Sequence, residues 1–198
     1  MVSYGEFRNR SSFTQTELIA FACGTLIDDA PKGFASRLPL PPMLMLDRVL
    51  QIRREGSRGG MIAEREVREG DWYFGCHFKD DPVQPGCLSV DAIWQMIGFF
   101  CAWGGGLGSG RALGCREVTF EDQILPGDGM VRYEVDIRRF SILEHSGAAI
   151  AIGSGDVFVG GHLVCSIKDA KVGVFRDMAQ IDHRGAGGGS RGASGEGE

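Results

Sequence analysis

Alternating apolar and polar residues predict a sheet in the second half of the chain. The clearest alternation covers residues 131–138, where four apolar side chains are separated by arginine, glutamate and aspartate. Successive side chains of a strand point to opposite faces, so this pattern is typical of a strand with one buried and one wet face. Gly160-Gly161 is a two-residue hairpin signal. Further strands are predicted at residues 111–120, 148–152, 157–159, 162–167 and 170–175.

The first half of the chain predicts one short helix followed by a hairpin. Thr14 and Glu17 have the spacing of a capping box, apolar residues follow them, and Gly24 is placed to end the helix. Residues 38–42 contain three prolines and are predicted to form an extended loop. Strands are then expected at residues 43–52 and 61–67, with a turn over residues 56–60.

One central segment is apolar on almost every side. Residues 88–103 are interrupted only by Ser89, Asp91, Gln95 and Gly98. A surface helix would show a full polar stripe, so this helix is expected to be buried nearly all round. It is shorter than the ~20 residues that a membrane span needs. A buried helix with antiparallel strands made from most of the remaining chain predicts an α+β fold in which the sheet wraps the helix.

Composition and charge narrow the class of protein. A chain of 198 residues with 43% hydrophobic content predicts one compact domain, over residues 1–176, and the glycine-rich residues 177–198 are expected to be a disordered tail. The net charge of −5 provides no cationic surface, so a nucleic-acid partner is not expected. Residues 1–10 lack the apolar core of a signal peptide, which favours a cytoplasmic protein without membrane insertion.

The cysteines and glycines suggest no metal or phosphate site. Six cysteines are spread along the chain without CxxC pairs, and they are expected to be reduced thiols. Cys76, His77 and Cys87 lack a fourth ligand at zinc spacing, and Cys87 has no local base, so a small buried thiol is expected there. The glycine-rich residues 104–110 follow a helix and lack Gly-Lys-Ser/Thr, which predicts a flexible helix exit.

Asp91 and Gln95 lie one turn apart on the same face of the predicted helix. A buried carboxylate is stable only when it is paired, protonated or turned toward a cavity. A cavity would indicate a functional site. An aspartate stabilised by the free N–H groups near a helix N-terminus is the structural alternative, and the spacing alone does not decide between them.

A fixed, irregular loop precedes this helix at residues 75–87. His77 follows the aromatic run Trp72-Tyr73-Phe74, and apolar surroundings favour the neutral imidazole that can accept a proton. His77 is therefore a candidate general base, and an ordinary loop histidine is the alternative. The backbone N–H groups of Gly86 and Cys87 could hydrogen-bond an oxygen on which negative charge develops.

These motifs together resemble the bacterial beta-hydroxydecanoyl-acyl-carrier-protein dehydratase/isomerase family of fatty-acid synthesis. The resemblance extends roughly over residues 14–176. The matching motifs are Trp-Tyr-Phe-Gly-Cys-His-Phe at 72–78, Asp-Pro-Val at 81–83, Pro-Gly-Cys-Leu at 85–88 and Asp-Ala-Ile-Trp-Gln at 91–95. Shorter matches lie at residues 42–49, 110–114, 117–118, 123–126 and 171–175.

The resemblance implies an architecture and partners. It implies a hot-dog fold, in which a curved antiparallel sheet wraps one long buried central helix. It also implies a homodimer with active sites at the subunit interface and an acyl carrier protein that delivers the acyl thioester. No metal and no organic cofactor are implied.

The resemblance further implies an activity and roles for residues. The family removes water from a beta-hydroxyacyl thioester to form the trans-2-enoyl product and then isomerises it to the cis-3 product. His77 stands at the position of the catalytic histidine and Asp91 at that of the catalytic aspartate, which the opposite subunit supplies. A related dehydratase family without isomerase activity usually has glutamate there, so Asp91 favours the bifunctional type. The residues expected to bind substrate are Val83, Gly86, Cys87 and Gln95.

Some positions depart from the family pattern. Gln84 replaces a usual methionine, and Ser89-Val90 replaces a common Gly-Leu pair, so chain-length preference and isomerisation are open. The alternatives to the bifunctional enzyme are a dehydratase without isomerase activity, a hot-dog thioesterase and a non-catalytic module that binds acyl carrier protein. Four basic residues are either carrier docking residues or ordinary solvated charges, namely Arg138, Arg139, Lys168 and Lys171.

Overall fold

A computed structural model of the chain describes residues 1–143 and 145–176, so the tail predicted at residues 177–198 lies outside the described residues. In chain order the elements are α1 (Tyr4–Asn9), α2 (Gln15–Cys23), β1 (Arg48–Glu55), β2 (Arg58–Glu66), a 3-10 helix (Trp72–Gly75), α3 (Gly86–Trp103), β3 (Ser109–Gly114), β4 (Glu117–Phe120), β5 (Met130–Leu143), β6 (Ala148–Val159) and β7 (His162–Phe175). The strands form one antiparallel sheet in the order β1-β2-β5-β6-β7-β3, and β4 also pairs with β7.

The long helix α3 packs against this sheet and forms the centre of the hydrophobic core. By length and composition alone α3 could cross a membrane, but 12 of its 18 residues are buried inside the fold, which is the burial of a core helix. The helix begins at Gly86, two residues before the predicted start, so its burial rather than its length identifies it as a core element. The arrangement confirms the predicted α+β class and the hot-dog fold.

Glycines inside two strands let α3 lie close to the sheet. A Cβ on Gly59 of β2 would lie 2.6 Å from Cζ of Phe100, and one on Gly155 of β6 would lie 2.7 Å from Cδ1 of Ile93. The turn predicted over residues 56–60 therefore forms only at residues 56–57, since β2 begins at Arg58, and the break predicted between residues 152 and 157 is wrong because β6 is continuous there. These glycines continue the strands because the side chains of α3 occupy the space that a Cβ would need.

Strand β1 begins later than the alternation predicted. It starts at Arg48 instead of residue 43, because the side chain of Gln95 in α3 binds the backbone before it. The Gln95 amide nitrogen donates to the carbonyl of Met43 at 2.8 Å, and the backbone N–H of Met45 donates to Oε1 of Gln95 at 3.0 Å. Two backbone groups that a strand would pair with its neighbour are thus held by the helix.

The hairpin predicted at Gly160-Gly161 is confirmed, since Val159 pairs with His162 across it. Both glycines have positive φ angles, 55° and 84°, as a type I′ turn requires. The strands predicted at residues 162–167 and 170–175 form the single strand β7. The single strand predicted at residues 111–120 is instead divided into β3 and β4, which pair with opposite ends of β7. Asp169, with a φ of 53°, lies between those two ends and breaks the regular path of β7.

An aromatic cluster attaches the N-terminal segment to α3. The ring of Phe99 lies 5.8 Å from that of Phe7 and 5.0 Å from those of Phe13 and Phe21, measured between centroids. The predicted helix is confirmed as α2, whose capping box at Thr14 is formed and whose last turn ends at Gly24 with a φ of 76°. The sequence did not indicate α1, because Phe7 is its one buried residue and leaves no periodic pattern.

Two arginines bind the end of α3. Arg8 and Arg54 each donate to the carbonyl oxygen of Gly104, both at 3.0 Å. Positive charge at a helix C-terminus stabilises the free carbonyl groups there. The chain then turns through the glycine-rich segment predicted as the helix exit, and β3 begins at Ser109.

Candidate functional site

His77 follows the 3-10 helix and is held by backbone groups on both sides. Its backbone N–H donates to the carbonyl of Tyr73, and its own carbonyl accepts from the N–H of Val83, both at 2.8 Å. Its ring atom Nδ1 lies 2.9 Å from the carbonyl oxygen of Val83. A carbonyl oxygen only accepts, so Nδ1 carries the proton of the neutral ring and Nε2 has the free lone pair. Nε2 is therefore the atom of His77 that can remove a proton from a ligand.

His77 lines a cleft of about 730 Å³, which we call the His77 cleft. Its volume lies within the range that is usual for small-molecule sites. The predicted substrate-binding residues Val83, Gly86 and Cys87 line the same cleft. Most of its other walls are apolar and are formed by Phe78, Val90, Trp94, Val118, Phe120, Ile124 and Val164. The shape and lining suit an apolar chain with one reactive polar end.

Gly86 is the first residue of α3 and lies beside the histidine in this cleft. Its backbone N–H makes no hydrogen bond within the described parts of the chain. A Cβ at this position would lie 2.6 Å from the ring of Phe120, so any residue other than glycine would displace that ring. The free N–H groups at a helix N-terminus favour a partly negative oxygen, as on a polarised carbonyl.

Two cysteines line the His77 cleft, and they differ in exposure. Cys87 is exposed, so the expectation that it is a small buried thiol is wrong; as the second residue of α3 it lies at the rim of the cleft. Burial raises the pKa of the Cys165 thiol to about 11, so this cleft residue is protonated at neutral pH. Over residues 1–143 and 145–176, no three His, Cys, Asp or Glu side chains are grouped closely enough to hold a metal ion.

Asp91 lies in a second, smaller cleft of about 150 Å³, which we call the Asp91 cleft. Its Oδ2 accepts a hydrogen bond of 2.6 Å from Nε2 of Gln95. Gln95 also holds the backbone of the loop before β1, so its two N–H groups and its oxygen are all engaged. Within the part of the chain described, Asp91 forms no ion pair. Gln95 therefore orients Asp91, and a direct contact between Gln95 and substrate stays a prediction.

The two predicted catalytic residues are not brought together within one chain. His77 lines one cleft and Asp91 lines the other, and Trp94 of α3 lines both. The position of both residues is fixed relative to α3, because the loop that contains His77 leads into the first turn of this helix and Asp91 is in its second turn. In a single copy of the chain, the His77 cleft therefore lacks Asp91, and the Asp91 cleft lacks His77.

The sequence did not reveal a buried polar network next to the His77 cleft. Arg65 is only 5% exposed, and its guanidinium lies 2.8 Å from both the Asp71 carboxylate and the Tyr73 hydroxyl. The Tyr73 hydroxyl lies 2.8 Å from Oδ2 of Asp71 and 2.9 Å from Oε1 of Gln84. The sequence did contain a signal for the burial of Arg65. Alternate residues of a strand face the same side, and Arg65 continues the series of buried positions that Met61 and Ala63 begin in β2.

Burial raises the pKa of Tyr73 to about 12, although Arg65 opposes this shift. An unfolded chain would release this proton near the ordinary value of 10.0, so the free energy of unfolding should fall as the pH rises from 10.0 to about 12. The slope of the unfolding free energy against pH reports how many protons are released on unfolding. We expect Tyr73→Phe to reduce that number by about one. Denaturant unfolding of both proteins at a series of alkaline pH values measures the slope, and equal slopes would contradict the assignment.

The sequence matches the family model of the FabA-like domain over residues 38–168, which include His77 and Asp91. Among solved structures, the dehydratase heterocomplex ApeI:P from Xenorhabdus doucetiae is 14% identical with a TM-score of 0.49, covering 71% of this chain and 88% of that chain. AziG of S. sahachiroi is 14% identical with a TM-score of 0.42, and the match covers 64% of this chain and 91% of that chain. The TT0310 protein of Thermus thermophilus is 18% identical with a TM-score of 0.42, and the match covers 64% of this chain and 90% of that chain. Because the family model matches more than half of the 198 residues, the chain belongs to the FabA-like domain family.

Proposed function

We propose that the chain is a beta-hydroxyacyl thioester dehydratase that also moves the new double bond from the trans-2 to the cis-3 position. The observation that carries the proposal is the state of His77. Its Nδ1 proton is engaged by Val83, so Nε2 is free in an apolar cleft, and the open N–H of Gly86 lies in the same cleft. This is the combination of base and carbonyl-binding donor that removal of a proton next to a thioester needs.

In the proposed dehydration, the N–H of Gly86 binds the thioester carbonyl and stabilises charge as the C2 proton leaves. Nε2 of His77 takes that proton, and the C3–O bond breaks as the C2=C3 double bond forms. Asp91 of the opposite subunit protonates the departing hydroxyl, or orients it to receive a proton from His77, so that it leaves as water. In the isomerisation, His77 removes a proton from C4 and returns one to C2. Each step uses a side chain that the fold holds in place by hydrogen bonds.

We further propose a homodimer, because His77 and Asp91 line different clefts of one chain. A second copy placed against the His77 cleft would supply the missing carboxylate. The exposed rings of Phe78 and Phe120, which are 55% and 56% exposed in the single chain, lie at this cleft and suit an apolar subunit interface. Residues 1–176 would form the catalytic domain of a cytoplasmic enzyme.

An acyl carrier protein is the proposed donor of the substrate. Of the four basic residues considered for its docking, Arg138 forms an ion pair of 3.0 Å with Asp169, and Lys168 pairs with Glu117. Arg139 and Lys171 are exposed and form no ion pair within the described residues. Arg139 and Lys171 are therefore the better candidates for contact with an acidic carrier.

Product analysis tests the proposed function. Purified protein incubated with a beta-hydroxydecanoyl thioester should yield both trans-2 and cis-3 enoyl products. Accumulation of the trans-2 product alone would indicate a dehydratase without isomerase activity, and release of free acid would indicate a thioesterase. Binding of acyl carrier protein without turnover would indicate a non-catalytic module.

Mixing two inactive variants tests the shared active site. We expect His77→Ala and Asp91→Asn each to be nearly inactive as homodimers. A mixed dimer purified through two different tags has one site with both native residues, so about half of the wild-type activity should return. A mixed dimer of His77→Ala with the double variant is the control and should stay inactive. No recovery in a verified mixed dimer would refute an active site built from two subunits.

A further inference from the structure

Two buried polar side chains interrupt the apolar wall of the His77 cleft. Gln84 is 4% exposed and Ser89 is 3% exposed, and both residues line the cleft. Nε2 of Gln84 donates to Oγ of Ser89 at 3.2 Å. Polar groups at such depth are costly unless their hydrogen bonds are made, so this pair constrains what can fill the cleft.

The polar network behind the cleft determines how the Gln84 amide is turned. Arg65 is positively charged and only donates, and its Nη1 lies 3.5 Å from Oε1 of Gln84. The hydroxyl of Tyr73 lies on the same side, 2.9 Å from that oxygen. Turning the amide around would place an NH₂ group against a guanidinium, so the oxygen faces the network and the nitrogen faces Ser89.

This orientation leaves two hydrogen-bond donors in the cleft wall. The amide nitrogen of Gln84 has two N–H groups, and one of them binds Ser89. Oγ of Ser89 accepts that bond, so its own proton must point elsewhere. In residues 1–143 and 145–176, neither the second N–H of Gln84 nor the O–H of Ser89 has an acceptor. An alkyl chain filling the cleft would strip both donors of water and replace none of their hydrogen bonds.

We propose that the cleft selects an acyl thioester whose tail carries an additional oxygen acceptor, such as a ketone, which binds Gln84 and Ser89. The inference deepens the proposed dehydratase function and rests on it, because it names the substrate class of the same cleft. The acceptor is distinct from the thioester carbonyl and from the beta-hydroxyl group. Apart from His77, Asp81, Asp122 and Gln123, the other side chains that line the cleft are apolar or are thiols, so most of the tail is hydrocarbon.

A matched substrate series tests this preference. The full-length protein is assayed with 3-hydroxydecanoyl pantetheine and with the same chain bearing a ketone at C7, C8 or C9. We expect at least one ketone substrate to have a kcat/KM about tenfold above that of the plain chain, the value of one good hydrogen bond. Equal or better turnover of the plain chain against every ketone would overturn the inference.

Two variants locate the preference at the polar pair. Ser89→Ala removes only a hydroxyl, and Gln84→Met keeps the length of the side chain while removing both polar groups. Both are expected to bring the ketone-to-plain ratio of kcat/KM close to one. Cys165→Ala changes the same cleft without removing either donor and should keep the wild-type ratio. A wild-type ratio that survives in Ser89→Ala and Gln84→Met would also overturn the inference.

A binding measurement separates this inference from the proposed function. If no substrate is dehydrated, the dehydratase proposal fails. Calorimetric titration with the saturated thioesters, decanoyl pantetheine and its 7-, 8- and 9-oxo forms, then still measures the preference. We expect about tenfold tighter binding of at least one oxo form. Binding that is no tighter for any oxo form would refute selection by Gln84 and Ser89.

Discussion

Replacing His77 with alanine is expected to lower kcat for dehydration by about 10²–10⁴-fold, the usual contribution of a general base. The expectation follows from the single hydrogen bond of the ring, in which Nδ1 donates to the carbonyl of Val83 and leaves Nε2 as the acceptor. The ring is only partly buried, so its removal should have a small effect on the free energy of unfolding. The absorbance of the enoyl thioester product measures the rate, and denaturant unfolding measures stability.

Two further variants make the His77 experiment specific. His77→Asn retains an N–H donor near the position of Nδ1 but has no basic atom, and it should be as inactive as the alanine variant. His162 is an exposed histidine at the start of β7, and His162→Ala should keep nearly full activity. Substantial activity in His77→Asn would mean that the histidine positions another group instead of removing the proton.

Replacing Phe99 with alanine is expected to lower the free energy of unfolding by about 3–5 kcal/mol. Phe99 is 1% exposed, and its ring contacts three phenylalanines from the N-terminal segment. The change removes apolar burial, leaves a cavity between α3 and that segment, and separates aromatic pairs. This loss is a large part of the total stability of about 5–15 kcal/mol that is usual for a domain. Equilibrium denaturation with urea measures the difference.

A matched control distinguishes core packing from a general effect of truncation. Leu50 is 40% exposed on β1, the strand at one edge of the sheet, and Leu50→Ala should cost less than about 1 kcal/mol. Phe99→Leu retains part of the side-chain volume, so its loss of unfolding free energy should lie between those of Leu50→Ala and Phe99→Ala. A cost below about 1 kcal/mol for Phe99→Ala would show that the aromatic cluster is loosely packed.

Much of the fold was predictable because its signals are local. The alternation at residues 131–138 lies within β5, and the glycine pair joins β6 to β7 as expected. The capping box at Thr14 starts α2, since its two hydrogen bonds involve residues three positions apart. Each of these features depends on neighbouring residues in the chain, so the sequence contains all of the information needed.

The errors at Gly59, at Gly155 and at the start of β1 have one physical origin, which is contact with α3. Glycine usually favours a turn, but Gly59 and Gly155 lie within strands because Phe100 and Ile93 fill the space beside them. Strand β1 starts late because Gln95 binds the backbone before it. Alternation and propensity do not report which distant side chain a strand will meet.

For the candidate site, the sequence alone determined which residue types are available: an imidazole in an aromatic loop, a glycine at a helix start and a carboxylate on an apolar helix. Only the tertiary structure decided how they are used. It assigned the free lone pair to Nε2 of His77, and it separated His77 from Asp91 into two clefts. It also joined Arg65 to Gln84 and Ser89 through Tyr73. These relations depend on atoms that are far apart in the chain and meet only when the sheet packs on α3, so no local pattern could encode them.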